Sequence, residues 1–130
     1  MDDPNYMNFF VERPASEASV AAACTRACGV PLESDNHAVD DADGYVQITE
    51  YMYGFEMGLC IIWSPASPVT RSQEAVARAI ARELGQRVLF DIEDPTADSG
   101  ERWILATPDD TISTVDVVEY DDGVGLSGSD

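Results

Sequence analysis

The chain has 130 residues, 45% of them hydrophobic, and sets 25 Asp plus Glu against 7 basic residues for a formal net charge of -18. That apolar share excludes an acidic chain too poor in hydrophobic side chains to fold, and the length provides for one domain with one core. A sequence pI near 4.1 argues against direct binding to nucleic acid or to anionic membranes, and for steered association with a basic protein.

In chain order, residues 8–12 (NFFVE) read as a short strand stopped at Arg13-Pro14, because proline lacks the donor that continued pairing needs. A helix is predicted next. Ser16 is placed to cap it, Glu17 suits the positive end of its dipole, and Val20, Ala23, Cys24 and Ala27 recur at helical spacing until Gly29 and Pro31 end it. An acidic loop follows over 30–43. Residues 45–52 then alternate, Val46, Ile48 and Met52 to one side and Tyr45, Gln47, Thr49 and Tyr51 to the other, which predicts a half-buried strand. Tyr53-Gly54 offers a reversal, and the apolar run over 59–63 predicts a central strand covered on both faces.

The second helix is signalled by the capping-box spacing of Thr70 and Gln73, by the stripe Val76, Ala77, Ile80, Ala81 and Leu84, and by Gly85 at the stop. Strands are expected at 87–92, 102–106 and 111–120, the last two joined across Thr107-Pro108-Asp109-Asp110. Residues 121–130, rich in Gly, Ser and Asp, read as a flexible acidic tail. This order predicts a single α+β domain over 1–120: one antiparallel-rich sheet with both helices on one face, a split β-α-β, ferredoxin-like core, and a C-terminal hairpin.

Three cysteines, an odd number, and an N-terminus without a signal-peptide pattern point to a reducing cytoplasm. The longest apolar run, 59–63, is strand-sized, far below the roughly 20 residues that span a bilayer. Residues 39–50 approach a calcium-binding EF-hand loop, with Gly44 and Glu50 in register, but Val39 stands at the first ligand position and the helix-loop-helix context is missing. Cys24, Cys28, His37 and Cys60 match no zinc spacing, and the sole histidine has no recognisable nucleophile or orienting acid beside it. No cofactor, no metal and no catalysis are therefore expected.

The acids are clustered. Asp40, Asp41 and Asp43 lie in the first loop; Asp91, Glu93, Asp94, Asp98 and Glu101 surround the sixth predicted element; Asp109, Asp110, Asp116, Glu119, Asp121 and Asp122 close the chain. No Arg or Lys interrupts any cluster, none stands between Arg26 and Arg71 and none follows Arg102, so the acids of the first and last clusters are expected to lack local cationic partners. Tyr51 and Tyr53, with Glu50 before them, supply aromatic anchors of the kind enriched at interface centres. The expected partner surface therefore combines the first loop and Glu50, Tyr51 and Tyr53 with Asp91, Glu93 and Asp94.

The segments Tyr53-Gly54-Phe55-Glu56-Met57-Gly58-Leu59, Ala81-Arg82-Glu83-Leu84-Gly85, Val88-Leu89-Phe90-Asp91-Ile92 and Trp103-Ile104-Leu105 before Thr107-Pro108-Asp109 together resemble small immunity proteins of bacterial polymorphic-toxin systems. The resemblance covers residues 45–119 and is one of order and texture. It implies an inhibitor that occludes the active site of one cognate toxin, commonly one that attacks nucleic acids or nucleotides, without doing chemistry itself; independently, the charge of the chain makes the expected toxin basic. A nucleic-acid mimic, setting carboxylates in place of phosphates inside a DNA- or RNA-binding enzyme, is the competing expectation.

Overall fold

The computed structural model describes residues 6–30, 32–34, 44–64, 69–93, 96, 101–120 and 123–126. In chain order its elements are β1 (Tyr6–Val11), α1 (Glu17–Cys28), β2 (Glu33–Ser34), β3 (Gly44–Glu50), β4 (Tyr53–Gly54), β5 (Met57–Trp63), α2 (Gln73–Leu84), β6 (Val88–Glu93), β7 (Glu101–Ala106), β8 (Ile112–Val115), β9 (Val117–Tyr120) and β10 (Gly123–Leu126). Seven strands form one sheet in the order β2-β3-β5-β1-β6-β7-β8, and β4, β10 and β9 form a second, smaller one. In the large sheet every pairing is antiparallel except the short parallel contact of β2 with β3. The fold is α+β, with two helices and a mostly antiparallel sheet.

Strand alternation sorts the residues into two cores. Phe9, Val11, Val46, Leu59, Ile61 and Phe90 point to one face, where Val20, Cys24 and Ala27 of α1 and Val76, Ile80 and Ala81 of α2 cover them. Both helices therefore pack on that face and against each other. Phe10, Leu89, Leu105 and Trp103 point to the opposite face, where Phe55, Val124 and Leu126 meet them. The small sheet is a third layer over part of that second face.

Both helices end where the local chemistry sets them. Ser16 Oγ accepts from Ser19 N at 3.2 Å, and Gly29 closes α1 with φ 77°, in the left-handed region that other residues rarely adopt. In α2 the cap is Ser72, whose Oγ accepts from Ala75 N at 3.1 Å, so the capping residue is not Thr70. Arg71 reaches back to donate to the carbonyls of Arg26 and Ala27, each at 2.8 Å, satisfying two acceptors left open at the end of α1.

Two expectations are corrected. Residues 111–120 are not one strand: the chain leaves the large sheet after β8, bends at Asp116, and continues as β9 in the small sheet. The tail expected over 121–130 gives way at Gly123–Leu126 to β10, which pairs antiparallel with β9 and parallel with β4. The chain does reverse at Tyr53-Gly54, since Glu50 of β3 stands opposite Met57 of β5, and β10 grips that loop as β4, with Phe55 N donating to Val124 O at 2.7 Å. Gly54 and Gly123 allow that grip, since a Cβ on either would stand 2.0 or 2.2 Å from a carbonyl oxygen of the other strand.

Candidate functional site: a cleft on the open sheet face

The small sheet covers the second face of the large sheet only in part. Across that face, register aligns Thr49, Gly58, Phe10, Leu89 and Leu105 in one row. The next row holds Gln47, Cys60, Asn8 and, across the divide between β1 and β6, Asp91 and Trp103. The first row reaches the second core; of the second row only Trp103 does, and its polar members Gln47, Asn8 and Asp91 stay open. Between β1 and β6 the ladder records only Phe10↔Leu89 and Val11↔Val88, although both strands run on beyond that point. The strands part at Asn8 and Asp91, and a cleft of about 350 Å³ opens over the parting. That volume is in the range of ordinary binding pockets.

The walls of the cleft are aromatic. Phe10 lies at its centre, with the ring of Tyr51 at 5.7 Å and 44° on one side and that of Trp103 at 6.0 Å and 49° on the other. Tyr51 leans over Gly58, which has no Cβ to hold the ring away. Asp91 is the direct cross-strand neighbour of Trp103, and Glu119 reaches the cleft from β9, on the inward side that also carries Val117. Among the described residues no cation pairs with Asp91 or Glu119, and none of the residues lining the cleft is basic.

The arginines lie mostly elsewhere. Arg26 on α1 meets Glu83 of α2 at 2.8 Å, and Arg78 on α2 meets Asp110 at 2.9 Å and Glu74 at 3.5 Å. Asp110, expected to lack a cationic partner, thus has one, because the β7–β8 turn folds back over α2. Alternation puts Arg102 on the helix side with Ile104. Arg87 pairs with Glu12 at 2.5 Å and lies over the ring of Phe55. Hydrogen bonding from this guanidinium holds the Glu12 carboxyl below its ordinary value. Positive charge therefore gathers on the helical side and at one end of the sheet, leaving the cleft acidic.

Of the residues singled out in the sequence, Tyr51 and Asp91 meet in this cleft. Glu50, the last residue of β3, lies on the helical side beside Ile48, Met57 and Glu17, and Tyr53 stacks on Tyr120 at 5.6 Å on the outside of the small sheet. The expected grouping is split accordingly, because a one-residue step along a strand changes the face. Glu93 ends β6, while Asp40, Asp41, Asp43 and Asp94 lie outside the described residues. Phe10, Trp103 and Glu119 were not singled out as interface residues. Phe10 could have been found from the alternation of NFFVE, in which one of two adjacent phenylalanines must leave the helical core.

The three cysteines do not converge. Cys24 and Cys28 are buried on α1, where desolvation raises both thiols, Cys28 to about 11. Cys60, half-buried, lines the cleft on the other side of the sheet, and burial raises it too. His37 lies outside the described residues, and so does the start of the EF-hand-like segment, whose remainder is β3. Among the described residues no helix is long and apolar enough to cross a membrane. In comparison with known proteins, no family model, curated protein or solved structure matches the chain.

Proposed function

We propose that this chain is an immunity-type inhibitor that works in the cytoplasm by binding a basic toxin domain through the acidic cleft and its rim. The observation that carries the reading is the pair Asp91 and Glu119, two carboxylates without a cation partner among the described residues, at an aromatic-walled cleft in a chain of net charge -18. Aromatic side chains with few rotatable bonds and unmatched charge are what a protein interface uses for anchoring and steering. Binding without catalysis is supported by the cleft's chemistry. Among the described residues lining it, none is an imidazole that could activate Cys60, whose thiol is pushed up by burial.

The same reading treats β3-β5-β1-β6, with helical crossovers β1-α1-β3 and β5-α2-β6, as the split β-α-β, ferredoxin-like core anticipated from the sequence. Its support is the strand order with antiparallel neighbours throughout. A nucleic-acid mimic is less well supported, since a duplex-like partner surface calls for acids spaced along a protruding face, whereas Asp91 and Glu119 stand at a concavity.

The test is a titration of the purified chain with the C-terminal domain encoded by the reading frame immediately upstream, at two salt concentrations. Tight binding whose association slows with salt is expected. Reversing Asp91 and Glu119 to Lys should weaken it far more than reversing Glu74 and Glu83 on α2. Equal losses from both pairs would mean that only net charge counts.

A further inference from the structure

The cleft is more specific than an acidic surface, and three features limit what it accepts. Its two anions come from different sheets, Asp91 from β6 and Glu119 from β9, and both line the cleft that a positive group would enter. Its walls are three aromatic rings in contact through Phe10, whose faces attract cations. Its floor is low at Gly58, which has no side chain, and Thr49 and Asn8 add hydrogen-bonding groups to its lining.

A carboxylate or phosphate group would meet two carboxylates and no positive charge among the lining residues. A purely apolar side chain would strand Asp91 and Glu119 against a hydrocarbon surface, which is unfavourable for buried charge. A planar, weakly hydrated cation with several donors satisfies both the rings and the acids. Guanidinium has that shape, stacks on aromatic faces and pairs with two carboxylates at once; an ammonium group is smaller and more strongly hydrated.

We propose that the cleft bounded by Phe10, Tyr51, Trp103, Asp91 and Glu119 is a receptor for one arginine side chain of the partner protein. The inference rests on the partner reading above, but its chemistry is testable without the partner. The guanidinium stacks against the aromatic wall, Asp91 and Glu119 supply the counter-charge, and the aliphatic stem covers Phe10.

The experiment uses the full chain labelled for NMR and titrated with N-acetyl-arginine-N-methylamide, with the norleucine analogue as the uncharged comparison. Saturable shifts confined to Asn8, Tyr51, Cys60, Asp91 and the Trp103 indole N–H are expected from the arginine probe. The doubly neutral variant Asp91→Asn with Glu119→Gln should weaken the probe by about tenfold or more, the loss of charge-assisted contacts. Because these residues are at the surface of a folded sheet, unchanged melting of the variant separates lost binding from lost structure. Equal shifts from norleucine, shifts spread over Glu74 and Glu83, or no shift would each overturn the inference.

The partner titration distinguishes the two failures. If the upstream-encoded domain binds but the probe ignores the cleft, the arginine receptor fails and the inhibitor reading survives at another surface. If the probe fills the cleft but that domain does not bind, the receptor chemistry stands and the inhibitor reading fails.

Discussion

The ring of Tyr51 occupies the space where a side chain at Gly58 would be: a Cβ built there comes within 2.7 Å of Tyr51 Cε2. Gly58 sits inside β5 in a backbone conformation that any residue adopts, so its lack of a side chain is used for the ring and not for a turn. Gly58→Ala should therefore keep the fold and move the ring. The expected result is a loss of stability of about 1 kcal/mol, with altered aromatic shifts for Tyr51 and Phe10 and weaker partner binding. Unchanged shifts would show that the ring is not held there.

Ile80 is fully buried where α2 meets the sheet. Ile80→Asp puts an unpaired carboxylate among hydrocarbon and should cost several kcal/mol out of a total stability of roughly 5 to 15, leaving no cooperative melt by circular dichroism. A variant melting like the parent would remove α2 from the core.

Val124 is buried in the second core with Leu89 and Leu105, so β10 acts as a cover and its removal has structural cost. A chain stopped after Tyr120, or Val124→Asp, should melt at lower temperature and bind a hydrophobic dye that the parent excludes. A tail would give no change in either measurement.

The Glu12–Arg87 pair couples stability to acid. The folded Glu12 carboxyl has its pKa below the unfolded value, because the Arg87 guanidinium hydrogen-bonds the ionised form. Its contribution is complete above the unfolded pKa, near 4.5, and is lost as pH falls through the lower folded value. Glu12→Gln should flatten the stability profile over that acid window and leave the slope above pH 6 untouched, as measured by urea titration at stepped pH.

The thiols should react in a fixed order. Cys24 and Cys28 are buried with raised pKa, whereas Cys60 is only half-buried at the cleft. In native buffer near pH 8, one thiol per chain should titrate with an aromatic disulfide reagent ahead of the other two, and mass mapping should place it at Cys60. Prior addition of the partner domain should slow that reaction. Modification beginning at Cys24 would contradict the packing of α1.

Helix positions were legible because capping and periodicity are local: Ser16, Gly29, Gly85 and the Val76, Ile80 stripe lie where their spacing puts them. The second layer was not read, although a signal existed. Val88, Leu89 and Phe90 are consecutive buried residues, and a strand apolar on both sides needs a cover on both. The covering segment, GVGL within a run of Gly, Ser and Asp, has tail-like composition because its glycines serve close backbone approach to β4. The cleft was half legible. Tyr51 and Asp91 were found from charge and exposure, but the parting of β1 from β6 depends on long-range pairing that no local pattern encodes.

The grip of β10 on β4 joins Tyr53 to Gly123, positions far apart in the chain. The β9–β10 pairing is local, Tyr120 standing opposite Gly123, so that pair of strands can form early, but it can be seated on Gly54 only once β3 and β5 present that loop. Until it is seated, Leu89 and Leu105 lack the cover of Val124, and the cleft lacks Glu119. One docking event supplies both, so the cleft is complete only when the apolar face behind it is sealed.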